Sequence, residues 1–127
     1  MPVIVVANPK GGVGKSTLAT NIAGLYARQG QSVMLGDVDR QQSSRQWLAL
    51  RPDAAPRIQG WDVMGESTLK VPKGVTHVVL DTPAGLHGKT LDAVMRVAER
   101  VLIPLQPSLF DIQATHTFVS ELRAHRR

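Results

Sequence analysis

The sequence predicts an α/β fold, a parallel sheet with helices on both faces, formed as one domain over residues 1–127. Three observations predict it. Val3–Ala7, Ser32–Gly36 and Thr76–Leu80 are runs of aliphatic and β-branched residues without polar alternation, and strands of that kind must be covered on both sides. Segments with helical spacing of apolar residues lie between them, the order that builds parallel sheets. The first strand-to-helix connection is rich in glycine, and later strands run into aspartates.

Val3–Ala7 is a buried strand stopped by the turn residues Asn8-Pro9. Lys15–Gln29 carries Leu18, Ile22, Leu25 and Tyr26 at helical spacing and ends at Gly30. Ser32–Gly36 is a second buried strand leading into Asp37-Val38-Asp39. A short helix around Gln42–Leu50 stops near Pro52, Arg51–Pro56 forms a loop, and Ile58–Val63 reads as a third strand. Met64–Gly74 mixes glycine, proline and charge and reads as irregular or weakly helical. Thr76–Leu80 is a strand, Lys89–Ala98 a helix, and Arg100–Leu105 a strand closed by Pro104 and Pro107. A last helix runs from about Asp111 to Ala124 with Ile112, Phe118, Val119 and Leu122 facing inward.

Composition narrows the function classes. Hydrophobic residues make up 43% and charged residues 20%, a globular balance, while aromatics at 4% leave the core to aliphatics and alanine. With no cysteine the chain offers no disulfide, zinc-thiolate or cluster ligand, which fits a reducing compartment. The net charge of +5 and pI near 10.2 suit either a nucleic-acid or anionic partner or a soluble protein with a few extra arginines. No apolar run approaches the roughly 18 residues of a membrane helix. Met1-Pro2-Val3 leads straight into a strand with no basic leader, so the expected location is cytoplasmic.

Between the first strand and helix lies Lys10-Gly11-Gly12-Val13-Gly14-Lys15-Ser16-Thr17. Glycines let successive backbone N–H groups point into one concavity, and the following helix adds its positive end, so the segment is built to cradle phosphates. Lys15 is placed to reach the β and γ phosphates and the Ser16 hydroxyl to bind Mg²⁺. Pro9 stands where the common phosphate-loop pattern has its first glycine, so the match is to the deviant form, which opens with a second lysine, Lys10.

In open α/β sheets, ligands bind outside the carboxyl ends of the strands. Asp37, Asp39 and Asp81 all follow strands there, on the rim that carries the phosphate loop. One such aspartate is usually a turn or cap residue; three beside a phosphate site suit Mg²⁺ and catalysis. Thr82-Pro83-Ala84-Gly85 is then a loop placed to sense a γ-phosphate.

Together, Lys10–Thr17, Asp37-Val38-Asp39 followed by Gln41, and Asp81-Thr82-Pro83-Ala84-Gly85 resemble the ParA/MinD family of deviant Walker P-loop ATPases along nearly the whole chain. The chain is most similar to the small ParA-type members that segregate plasmids or position cargo. The resemblance implies an ATP- and Mg²⁺-dependent homodimer closed across the nucleotide, with weak ATPase activity and a stimulating partner protein. It implies that the loop Gly11, Gly12, Val13 and Gly14 binds phosphates with Lys15, and that Thr17 contacts the α-phosphate. It further implies that Lys10 reaches the partner's phosphates and that Asp39 orients the attacking water. Ser16, Asp37 and Asp81 form the expected metal set, Asp81 acting through water. Arg40 stands where the family usually has proline, which alters the charge of that segment. Family members also continue for several more strands and helices that supply adenine and DNA contacts, so a fragment with an apolar edge strand is expected.

Other features carry less. His77, His87, His116 and His125 have no ligand spacing, and Trp47 and Trp61 read as packing residues. Arg123, Arg126 and Arg127 either complement a helix dipole or form one edge of a nonspecific DNA-binding face. The competing readings are a nucleotide-binding fragment without turnover and a MinD-like membrane-associated positioning protein. The lack of cysteine argues against iron-protein reductases, and a single tyrosine argues against tyrosine kinases.

Overall fold

The apolar runs and the segments between them fold as β1 (Val3–Val6), α1 (Lys15–Arg28), β2 (Val33–Asp37), α2 (Ser43–Leu50), β3 (Ile58–Trp61), β4 (His77–Asp81), α3 (Gly88–Val97), β5 (Arg100–Leu102) and α4 (Leu109–Arg123). These come from a computed structural model that describes residues 3–7, 15–38, 43–61, 74–82, 88–104 and 109–124. The five strands form one sheet in the order β3-β2-β4-β1-β5, and every pairing is parallel.

Strand order decides which face each helix covers. The chain steps from β1 to β2 and from β2 to β3 in one direction across the sheet, and from β4 to β5 in the other. Because parallel crossovers are right-handed, α1 and α2 fall on one face and α3 on the opposite one. Burial follows the two-residue period of a strand. Val3, Val5, Ala7, Met34, Val78 and Leu80 pack on the face of α3 and Phe118 of α4. Val6, Val33, Leu35 and Val79 pack on the other, with Trp47 and Leu48 of α2.

Three expectations are corrected in detail. The face of α1 that meets the sheet is Ala19, Ala23 and Ala27, one residue per turn, while Leu25 is 54% exposed. Alanines let the helix approach the sheet closely, and Leu18, Ile22 and Tyr26 flank that contact. Ile112 is 53% exposed, so the buried anchor of α4 is Phe118, with Leu122 packed beside it. The last strand ends at Leu102 rather than Leu105. Pro104 has no N–H for the ladder, and Leu105 lies outside the described residues. Asp62 and Val63 of the expected third strand, and Met64–Lys73, also lie outside them.

Gly36 is required by close packing inside β2. A Cβ there would sit 2.7 Å from Leu80 Cδ2 and 3.2 Å from Trp61 Cε3. Leu80 is fully buried, so its methyl has little room to retreat. Gly36→Ala is expected to destabilise the fold by about 1–3 kcal/mol, read as a lower urea midpoint. An unchanged midpoint would mean that Leu80 repacks freely.

Candidate functional site

Because all strands run the same way, their carboxyl ends share one rim, and α1 starts there after β1. Asp37 and Asp81 are the last residues of neighbouring strands β2 and β4 and are register partners. The chain leaving β2 is fastened to β4 by Val38 N–H, which donates to Asp81 O at 2.9 Å. Thr82, fully buried, donates its hydroxyl to Val6 O at 2.7 Å and ties the end of β4 to the end of β1. The rim is therefore held by contacts beyond the sheet ladder.

The centre of the site is the Asp81 carboxylate, only 1% exposed. Its Oδ2 accepts hydrogen bonds from Ser16 Oγ at 2.5 Å and Ser44 Oγ at 2.7 Å. Both are short O–H···O hydrogen bonds. Its Oδ1 is buried with no hydrogen-bond partner among the described residues. Leaving such an atom unsatisfied costs about 1–3 kcal/mol, more for a charged group, so the site is shaped for an additional donor or a cation. A serine hydroxyl has one proton and two lone pairs; with its proton given to Asp81, Ser16 has lone pairs left for a metal.

Asp37 is also buried, and its Oδ2 accepts from Ser44 N–H at 2.8 Å. It thereby satisfies one of the N–H groups that a helix start leaves open. Ser16 lies in the first turn of α1, and Thr20, one turn on, returns its hydroxyl to Ser16 O at 2.8 Å. Thr17 is exposed on the same turn.

The structure thus brings together three of the residues singled out by sequence: Ser16, Asp81 and, through Ser44, Asp37. Lys15 is the first residue of α1. Lys10, Gly11, Gly12, Val13, Gly14 and Asp39 lie outside the described residues. Sequence reasoning missed Ser44 and the strand-tying role of Thr82. A serine in the first turn of a short helix was a visible signal, but its partners come from two strands.

The donor set fits Mg²⁺. That ion prefers hard oxygen ligands and is usually held by one or two carboxylates together with substrate phosphates. Among the described residues no group of three or more histidines, cysteines, aspartates or glutamates forms a self-sufficient metal cage. His77 instead lies against Tyr26, with ring centroids 4.2 Å apart, and bonds Thr76 Oγ1. Trp61 packs over Gly36 and Trp47 against the α1 side of the sheet.

Comparison with known proteins bears on this arrangement. The model of the CobQ/CobB/MinD/ParA nucleotide binding domain matches residues 4–126. Maintenance of carboxysome distribution protein A of Gloeobacter kilaueensis is 37% identical over 87% of this chain and 51% of its own length. The chromosome-partitioning ATPase Soj of Thermus thermophilus is 28% identical over 97% of this chain and 62% of its own. Among solved structures, a plasmid partition protein from Borrelia burgdorferi bound to AMPPNP superposes with a TM-score of 0.80 at 18% identity, over 97% of this chain and 69% of that one. The chain thus spans between half and two thirds of the length of the two relatives.

Proposed function

Since the chain belongs to the CobQ/CobB/MinD/ParA family of nucleotide-binding domains, we propose that it binds ATP with Mg²⁺ on the rim described above and acts as an ATP-hydrolysing, ParA-type dimerisation switch. Its role would be in DNA partition or cargo positioning. The observation that carries the reading is Asp81: a buried carboxylate with one oxygen held by Ser16 at the start of the helix after the phosphate loop, and the other without a hydrogen-bond partner among the described residues. Ser16 and Asp81 are the residues that would hold the metal, with Asp37 one contact further away. The metal would supply neutralisation of phosphate charge.

The chain's own residues divide the remaining work. Lys15 and the N–H groups of Gly11–Gly14 bind phosphates, Thr17 contacts the α-phosphate, and Lys10 serves the partner subunit. Asp39 accepts a hydrogen bond from the attacking water. A second reading is that the chain binds nucleotide without turnover. The presence or absence of single-turnover hydrolysis decides between the two. Nonspecific DNA is a further expected partner, on the basis of the +5 net charge. Among the described residues no helix is long and apolar enough to cross a membrane.

Asp81→Asn tests the metal assignment directly. The amide keeps an oxygen for the Ser16 and Ser44 hydroxyls but removes the negative charge. Titration with a fluorescent ATP analogue is expected to show the Mg²⁺ enhancement of affinity reduced about tenfold. Mg²⁺ enhancement equal to the parent's would refute Asp81 as a metal residue.

A further inference from the structure

Ser44 is a fully buried polar residue at the second position of α2, a place where alanine would satisfy packing alone. Both of its donors are used, and on different strands. Its N–H goes to Asp37 Oδ2 at 2.8 Å and its hydroxyl to Asp81 Oδ2 at 2.7 Å. Asp37 and Asp81 are register partners, so two carboxylates stand side by side at the ends of β2 and β4. Ser44 gives each of them a hydrogen and links both to the start of α2.

From this we infer that Ser44 is a positioning residue that sets the Asp81 carboxylate for Mg²⁺ and couples it to the segment leading from Asp37 into α2. The inference rests on the nucleotide reading proposed above. With two hydroxyls on Oδ2, from Ser16 and Ser44, turning the carboxylate about its bond to Cβ would break both contacts. Oδ1 therefore stays directed away from them. With Ser44 silent, one hydroxyl remains and either oxygen can receive it. Hydrogen bonds to a metal-site carboxylate typically matter 10- to 100-fold in metal affinity, so the lower end, about tenfold, is expected where Ser16 remains.

The experiment compares the parent chain with Ser44→Ala and Ser44→Thr, using a fluorescent ATP analogue in EDTA and across a Mg²⁺ titration. Ser44→Ala removes one oxygen and keeps the N–H bond to Asp37. Its metal-free affinity is expected within about twofold of the parent, with the Mg²⁺ midpoint raised about tenfold. Ser44→Thr retains the hydroxyl and is expected to return the midpoint to within about threefold. The metal-free affinity in the same samples reports whether fold and loop are intact. An unchanged Mg²⁺ midpoint in Ser44→Ala would overturn the inference and leave the nucleotide reading standing, and so would equal losses with and without metal, the mark of a purely structural role. A parent that binds no nucleotide would overturn that reading and this inference with it.

Discussion

Lys15→Ala is expected to lower nucleotide affinity by about one to two orders of magnitude, with the fold unaffected. Lys15 opens α1, immediately before Ser16, whose hydroxyl is already bound to Asp81. A phosphate group at this helix start would meet open backbone N–H groups and the positive end of the helix. The ammonium adds the formal charge, and charge-assisted hydrogen bonds contribute roughly 1.5–3 kcal/mol each. The substitution is mild for the protein itself, since alanine is the best helix former. Melting temperature should therefore stay close to the parent's while a fluorescent ATP analogue dissociates far more readily. Affinity within a factor of two of the parent would remove the phosphate-loop assignment.

The strands were legible because β-branched runs without polar alternation have few other folded fates, and β1, β2 and β4 form where those runs stand. Their ends were legible too, since Asp37 and Asp81 close strands that the parallel sheet brings to one rim. What was not legible depends on contacts between distant segments. The buried face of α1 is made of alanines, whose weak hydrophobic signal was outweighed by Leu18, Ile22, Leu25 and Tyr26. The shortened β5 pairs only with β1 in the described sheet, so its length is set by that partner's register and by Pro104. The role of Ser44 was hidden for a related reason. It matters only once β2 and β4 are neighbours, and local periodicity does not encode the order β3-β2-β4-β1-β5.

The last expectation concerns Asp39, and the structure supplies its frame. Just before it, Val38 N–H is bound to Asp81 O at 2.9 Å. Just after the connection, Ser44 N–H is bound to Asp37 at 2.8 Å and its hydroxyl to Asp81 at 2.7 Å. The residues flanking Asp39 are thus fastened on one side to the Asp81 main-chain carbonyl and on the other to the Asp37 and Asp81 carboxylates. A carboxylate on such a segment can accept a hydrogen bond from the attacking water and align it, and phosphoryl transfer depends chiefly on positioning and charge. Ground-state binding would still have Lys15, the loop amides and the metal. Asp39→Ala is therefore expected to bind ATP within about twofold of the parent and to hydrolyse it on the order of a hundredfold more slowly. In a dimerising chain, light scattering should find the ATP-bound dimer persisting, because hydrolysis that would release it is slowed. Two numbers for each protein, affinity and single-turnover rate, carry the test. Normal turnover would dismiss Asp39 as the residue that orients water. A loss of affinity as large as that of Lys15→Ala would make it a binding residue instead, and catalysis would have to be sought among the other groups around Asp81.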